Sequence, residues 1–343
     1  MEQTSRQSAD IAGRTWRRSL LRVCGRWIGN VYRPPAGLLL PSGHIVGDVT
    51  PDHVRHLFKI PSFTKFKADI EFLARHYEPL ALPELERTGY SPCERQPPKH
   101  FVLSFDDGMR EVYDVIAPFL RAKGIPAIFF LNSTTIDNKK LMWRHKVSLL
   151  IAASQRHPEN IPPQLRSQPG KTVPAKLRSL RFSDERILDD LAVSLDLDFE
   201  NYLRNKLPYL TTPQVLELAR QGFEFGSHSA RHPYFSEIPV QSQEQEISQS
   251  VHFIRALGLP CRYFAFPFDD NGVSTFLFEY MRDLGIALSF GSSDARIDSV
   301  PFSFQRFALD AENSDSPMPE LLERLSAKSL AFRLARKGVI HRY

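Results

Sequence analysis

Two adjacent carboxylates close an apolar run in Phe101-Val-Leu-Ser-Phe105-Asp106-Asp107-Gly108, and two histidines stand four apart in Gly226-Ser-His228-Ser-Ala-Arg-His232-Pro233. Each set follows a short apolar segment of the kind that forms a buried strand, so each is expected where a strand ends. Gly108 permits a sharp turn, and at a turn both carboxylates can approach one cavity. The histidine spacing would suit one face of a helix, but Pro233 biases His232 away from the α region and favours a turn-like loop. Two His and one Asp form the ligand set of mononuclear metal sites that leave a position open for water. The plain alternatives are an ordinary Asp-Asp-Gly turn and a solvated histidine loop.

A third stretch, Phe264-Ala-Phe-Pro-Phe268, follows in the chain. Ser104–Gly108, His228–His232 and this segment together resemble, in order, the first three motifs of the polysaccharide deacetylases, the NodB-homology carbohydrate esterases. The resemblance covers roughly residues 40–132 and 211–310. It implies an α/β fold: a distorted (β/α) barrel of the polysaccharide deacetylase type, with the site at the C-terminal ends of the strands and a largely helical insertion. It also implies that Asp107, His228 and His232 hold a divalent metal, with Zn2+ the expected ion, and that Asp106 is the base that takes a proton from water. The backbone N–H of Phe268 would meet the tetrahedral oxyanion, and Phe266 and Pro267 would contact substrate, whereas Phe264 is expected in the core. The implied reaction is removal of N-acetyl groups from amino sugars of a polysaccharide or glycolipid.

The chain departs from that pattern in two places. Ala265 stands where family members often carry an Arg that anchors the base, and no Leu-x-His supplies the usual general acid. His44 and His53 are candidate substitutes for the acid, and Arg306 could orient a carboxylate. Without a dedicated acid, Asp106 would return its proton to the leaving amine. These departures keep a second reading in play, an inactive carbohydrate-binding protein on the same barrel. A non-haem iron oxygenase is disfavoured because neither His228 nor His232 has an acidic residue two positions on.

The elements that must position these residues are legible as periodicity. Leu38–Leu40, Phe101–Phe105 and Ile125–Leu131 read as buried strands, and Met109–Lys123 reads as a helix closed by Gly124, giving a strand–helix–strand unit. Strand-like pieces return at 223–225, 263–266, 286–290 and 302–304, with a helix near 243–257. The expected division is 1–37 as a basic amphipathic segment and linker, 38–132 and 211–312 as the two parts of the barrel, 133–210 as a helical insertion, and 313–343 as a basic helical tail.

In residues 13–28, Trp16, Leu20, Val23 and Trp27 oppose Arg14, Arg18, Arg22 and Arg26. The same pattern serves docking on the globular body or peripheral contact with an anionic membrane. No apolar run is long enough to span a bilayer, and arginines interrupt the only place for a signal sequence, which suggests the cytoplasm or the cytoplasmic face of the membrane. A balance of 44 Lys+Arg against 39 Asp+Glu, net +5, does not point to a nucleic-acid-binding surface. Three scattered cysteines support neither a disulfide framework nor a Cys-based metal site.

Overall fold

Short runs that are apolar on both faces form parallel strands here, as expected when each strand is covered on both sides. The computed structural model describes residues 37–90, 98–166 and 171–343, so the 13–28 segment lies outside the described residues. In chain order the main strands are β1 (Pro41–Gly43), β2 (Leu103–Phe105), β3 (Ala127–Leu131), β4 (Glu224–Ser227), β5 (Tyr263–Ala265), β6 (Leu288–Gly291), β7 (Ser303–Gln305) and β8 (Phe307–Ala308). They form one parallel sheet in the order β7-β6-β5-β4-β3-β2-β1-β8. Its two edges, β7 and β8, are consecutive pieces of one segment that bends at Arg306. That segment pairs with β6 on one side and β1 on the other, which nearly closes a distorted (β/α) barrel.

Alternation along β3 separates two cores. Phe129 and Leu131 join a cluster beneath flanking helices that include α1 (Phe63–His76), and Ile128 and Phe130 join Ala265, Phe290 and Phe304 in the barrel interior. Gly226 lies opposite Phe130 in the β3–β4 register. A Cβ there would sit 2.5 Å from the Phe130 ring and 2.8 Å from the Tyr263 carbonyl oxygen. Gly226→Ala should therefore cost about 1–3 kcal/mol by overpacking, read as a lowered denaturation midpoint without a change in slope.

Between β3 and β4 the chain is largely helical. Helix α2 (Trp143–Arg156) and the helices Val173–Arg178, Glu185–Ser194 and Phe199–Lys206 enclose their own core, which also takes in Ile45, Val54 and Met109 from the segments that follow barrel strands. The insertion thus packs against the C-terminal mouth of the barrel.

Two local expectations are corrected. The helix expected from Met109 starts as a π turn over Val112–Ile116 and becomes α-helical over Ala117–Lys123, because Pro118 has no N–H to donate to the carbonyl of Asp114. The tail is not helical throughout. A helix over Met318–Leu334 gives way at left-handed Arg336 (φ +56°) to a β-branched strand, Val339–Ile340, which pairs with Ile297–Asp298.

Candidate active site

The barrel register sets the site. Gly43 pairs with Phe105, and Pro41 and Ser42 pair with Phe307 and Ala308, so His44, Asp106 and Asp310 come level just beyond neighbouring strands. The Asp106 N–H donates to the Gly43 carbonyl (2.9 Å), and Asp107 then turns into the left-handed region at φ +72°, followed by Gly108 at +62°. This turn gives the two buried carboxylates different environments.

Asp106 receives a bidentate pair of hydrogen bonds from Arg306, Nη1 to Oδ1 and Nη2 to Oδ2, both 2.7 Å. The guanidinium also donates to Ser104 Oγ (3.1 Å) and lies 5.3 Å from the centre of the Phe130 ring. Burial disfavours the Asp106 carboxylate, but Arg306 outweighs it and holds the pKa down at about 2. Asp107 has no such partner: its Oδ1 is buried and unpaired, and burial, with Asp106 and Asp310 nearby, pushes its pKa up to about 7.

The histidines follow β4 on a turn rather than a helix, with Ser229 (φ +67°) and His232 (φ +63°) both left-handed. Glu246 of the helix Val240–Ala256, itself 1% exposed, accepts the backbone N–H groups of Ala230 (3.0 Å) and Arg231 (2.7 Å), while the His232 N–H donates to Ser229 Oγ (3.0 Å). From the insertion, Trp143 Nε1 donates to the His232 carbonyl (2.8 Å). Left-handed non-glycine residues held by that many bonds are strained positions that the surroundings enforce.

His228 Nδ1 donates to the Ala265 carbonyl (2.8 Å), which fixes the tautomer and leaves Nε2 as an acceptor with no partner. That Nε2 lies 3.6 Å from Asp107 Oδ1, and His232 Nε2 lies 3.3 Å from the same oxygen. Burial pushes the His228 pKa down to about 4 and that of His232 well below the usual range, so both rings are neutral. One ligand atom from each of Asp107, His228 and His232 lies within 4.8 Å of the others, a buried donor set that suits a divalent cation.

The expected acid candidates part company. The His44 N–H and ring Nδ1 both donate to Asp310 Oδ2, at 3.0 and 2.7 Å, and the side chain remains 29% exposed. Burial would lower its pKa, but Asp310, with help from Asp107 and Asp106, raises it to about 10. His53 is instead buried against the insertion, where Nδ1 meets Tyr202 Oη at 2.9 Å, and burial holds its pKa at about 3. At neutral pH it is an uncharged ring without the imidazolium proton that a general acid donates.

The third motif divides as well. Phe264 and Phe266 are in the core with Phe235 and Phe278, so the expected contact of Phe266 with substrate is not carried forward. Phe268, after Pro267, is left-handed at φ +58°, and its ring stacks on Tyr234 (3.7 Å, 9°) and meets the edge of His232 (4.4 Å). Asp310 and Trp143 carried no sequence signal. The nearest to one for Asp310 is its place just past a strand, level with the other carboxylates.

Residues 94–288, more than half of the chain, match the family described as Polysaccharide deacetylase. The chain belongs to the polysaccharide deacetylase family. Solved deacetylases share its fold. The Streptococcus pyogenes deacetylase PplD, solved in complex with acetate, superposes with a TM-score of 0.52 at 15% identity over 82% of this chain and 97% of its own. IcaB from Ammonifex degensii gives 0.52 at 16% over 84% and 97%, and a polysaccharide deacetylase from Bacillus cereus gives 0.51 at 13% over 84% and 68%. No curated relative matches the chain. Within this deacetylase family the fold and the ordered motifs agree, while the guanidinium on the first Asp arrives here from Arg306, 200 residues away in sequence. Among the described residues no helix is long and apolar enough to cross a membrane.

Proposed function

We propose that this deacetylase hydrolyses N-acetyl groups on amino sugars of a polysaccharide or glycolipid, with Asp107, His228 and His232 holding a divalent ion, Zn2+ by their chemistry, and Asp106 acting as base. The observation that carries this reading is the set of buried, unpaired atoms Asp107 Oδ1 and His228 Nε2, beside a second carboxylate that Arg306 keeps ionised. Those atoms cost free energy unless a cation satisfies them. When bound, the ion supplies Lewis-acid polarisation of the acetyl carbonyl and a lowered pKa for water.

The residues of the chain do the rest. Asp106 accepts the proton of the attacking water, and Arg306 fixes its orientation. The Phe268 N–H donates to the oxygen that becomes negative. His44, charged through its pair with Asp310 and still partly open to solvent, donates to the departing amine. Trp143 and Tyr234 bracket Phe268, at ring separations of 6.1 and 3.7 Å, and hold the acetyl end of the site in place.

The test combines metal analysis of purified protein with an acetate-release screen over N-acetylated oligosaccharides and glycolipids. A stoichiometric divalent ion and release that a chelator abolishes and added Zn2+ restores are expected. Release that survives complete metal removal would contradict the proposal.

A further inference from the structure

A second buried charge cluster lies beside the active site, and the mechanism above does not use it. Arg342, whose side chain is 2% exposed, donates through Nη2 to Asp270 Oδ2 and Asp298 Oδ2, through Nη1 to the Asp270 carbonyl and through Nε to Asp298 Oδ1 (3.3 Å). Both carboxylates are fully buried. Gln305 Nε2 donates to the same two side chains, at 2.8 Å to Asp270 and 3.1 Å to Asp298. The segment that delivers Arg342 is itself anchored, since Val339–Ile340 pairs with Ile297–Asp298 and the Tyr343 carbonyl accepts the Thr275 N–H at 2.9 Å.

The cluster touches both halves of the chemistry. Asp270 lies two residues after Phe268, and Gln305 immediately precedes Arg306. The Asp270 carboxylate also lies over Gly291, where a Cβ would come within 2.5 Å of it, and the Gly291 carbonyl accepts both the backbone N–H (3.0 Å) and Nε (3.4 Å) of Arg306. One guanidinium therefore ties the loop that bears the oxyanion donor to the strand that bears the anchor of the base.

We propose that residues 339–343 form a strap and that its Arg342 is a positioning residue, which sets the Phe268 loop and Arg306 through Asp270 and Gln305. The inference rests on the deacetylase reading of the site. Without the guanidinium, Asp298 keeps the Val300 N–H (3.0 Å) and Ser303 Oγ (3.1 Å), whereas the Asp270 side chain is left with the Gln305 amide beside a like charge, which drives it away from Asp298 or toward neutralisation by rearrangement of its loop. Either outcome releases the loop by a fraction of an ångström from the geometry that the transition state requires.

The test uses the metal-loaded full chain. Arg342→Met should lower kcat for acetate release about 10- to 100-fold, the scale of small misplacements in an active site, with KM and bound metal unchanged. Arg342→Lys should recover part of kcat, because an ammonium neutralises charge but does not fork across both carboxylates. Gly291→Ala displaces the Asp270 carboxylate with the strap still paired and should reproduce the kcat loss, which covers the case in which Arg342→Met does not fold. A parental kcat per folded molecule in Arg342→Met, or in Gly291→Ala if the former is unfolded, overturns the proposal. If the parent itself releases no acetate, the deacetylase reading fails, and the strap is judged on the crystal structure of the same variant. A displaced Phe268 loop supports the strap, and an unmoved loop and Arg306 overturn it.

Discussion

Asp106→Asn should reduce acetate release by about 10²- to 10⁴-fold, the contribution of a positioned general base, while bound metal stays near the parental level. The side chain remains isosteric, but an amide leaves Arg306 buried without its counter-charge, a change that costs about 3–5 kcal/mol when a buried pair is broken. Stability and activity therefore have to be read on the same sample, with the rate expressed per folded molecule. His228→Ala is the contrasting variant: it removes a ligand atom whose lone pair is already freed by the bond to the Ala265 carbonyl, and it should lose metal and activity together. Parental turnover in Asp106→Asn would remove Asp106 from the mechanism. Metal loss in both variants would assign Asp106 to the ligand set instead.

The second large effect concerns the acid. The His44 pKa is raised to about 10, so the ring is charged throughout the neutral range, and the stability gained from its pair with Asp310 is full below the ordinary histidine value and fades as pH rises through about 10. Asp310→Asn removes the main group that opposes burial. The pKa then falls, and the alkaline limb of kcat/KM moves to lower pH, with loss of activity at neutral pH and a smaller loss under acidic conditions. His44→Gln has no proton to give at any pH and should be slower by about 10²-fold or more across the profile, without the shift. An unchanged alkaline limb in Asp310→Asn would exclude His44 as the donor to the leaving amine.

The parts of this site that the sequence revealed are those that chain connectivity holds together. Asp106 and Asp107 are adjacent, and His228 and His232 share one turn, so a few residues carry both the ligand types and the turn that aims them. The closing pieces are different. Arg306 and Asp310 meet partners 200 and 266 residues away, and a bond across the ring of a barrel leaves no local pattern. Arg306 stood out only as a cation that could orient a carboxylate, with nothing local to say which one, and Asp310 did not stand out at all. The fold was similarly legible where apolar runs marked strands, yet the pattern Phe264-Ala-Phe266 did not tell a core from a pocket lining, and Phe266 lies in the core. Pro118 and the Val339-Ile340 pair show the remaining errors to be local ones, in which a missing N–H or two β-branched residues override a helical pattern.

The bend at Arg306, where one segment supplies both edges of the sheet, has a consequence for how catalytic competence arises. Arg306 and Asp310, the partners of Asp106 and His44, lie four residues apart on that segment, so neither pairing exists until the ends of the ring have met. Contacts that span most of the chain are the slow ones to form. During refolding, helix content therefore returns before acetate release does, and a chain with all of its helices in place but an open ring is still without an enzyme's chemistry.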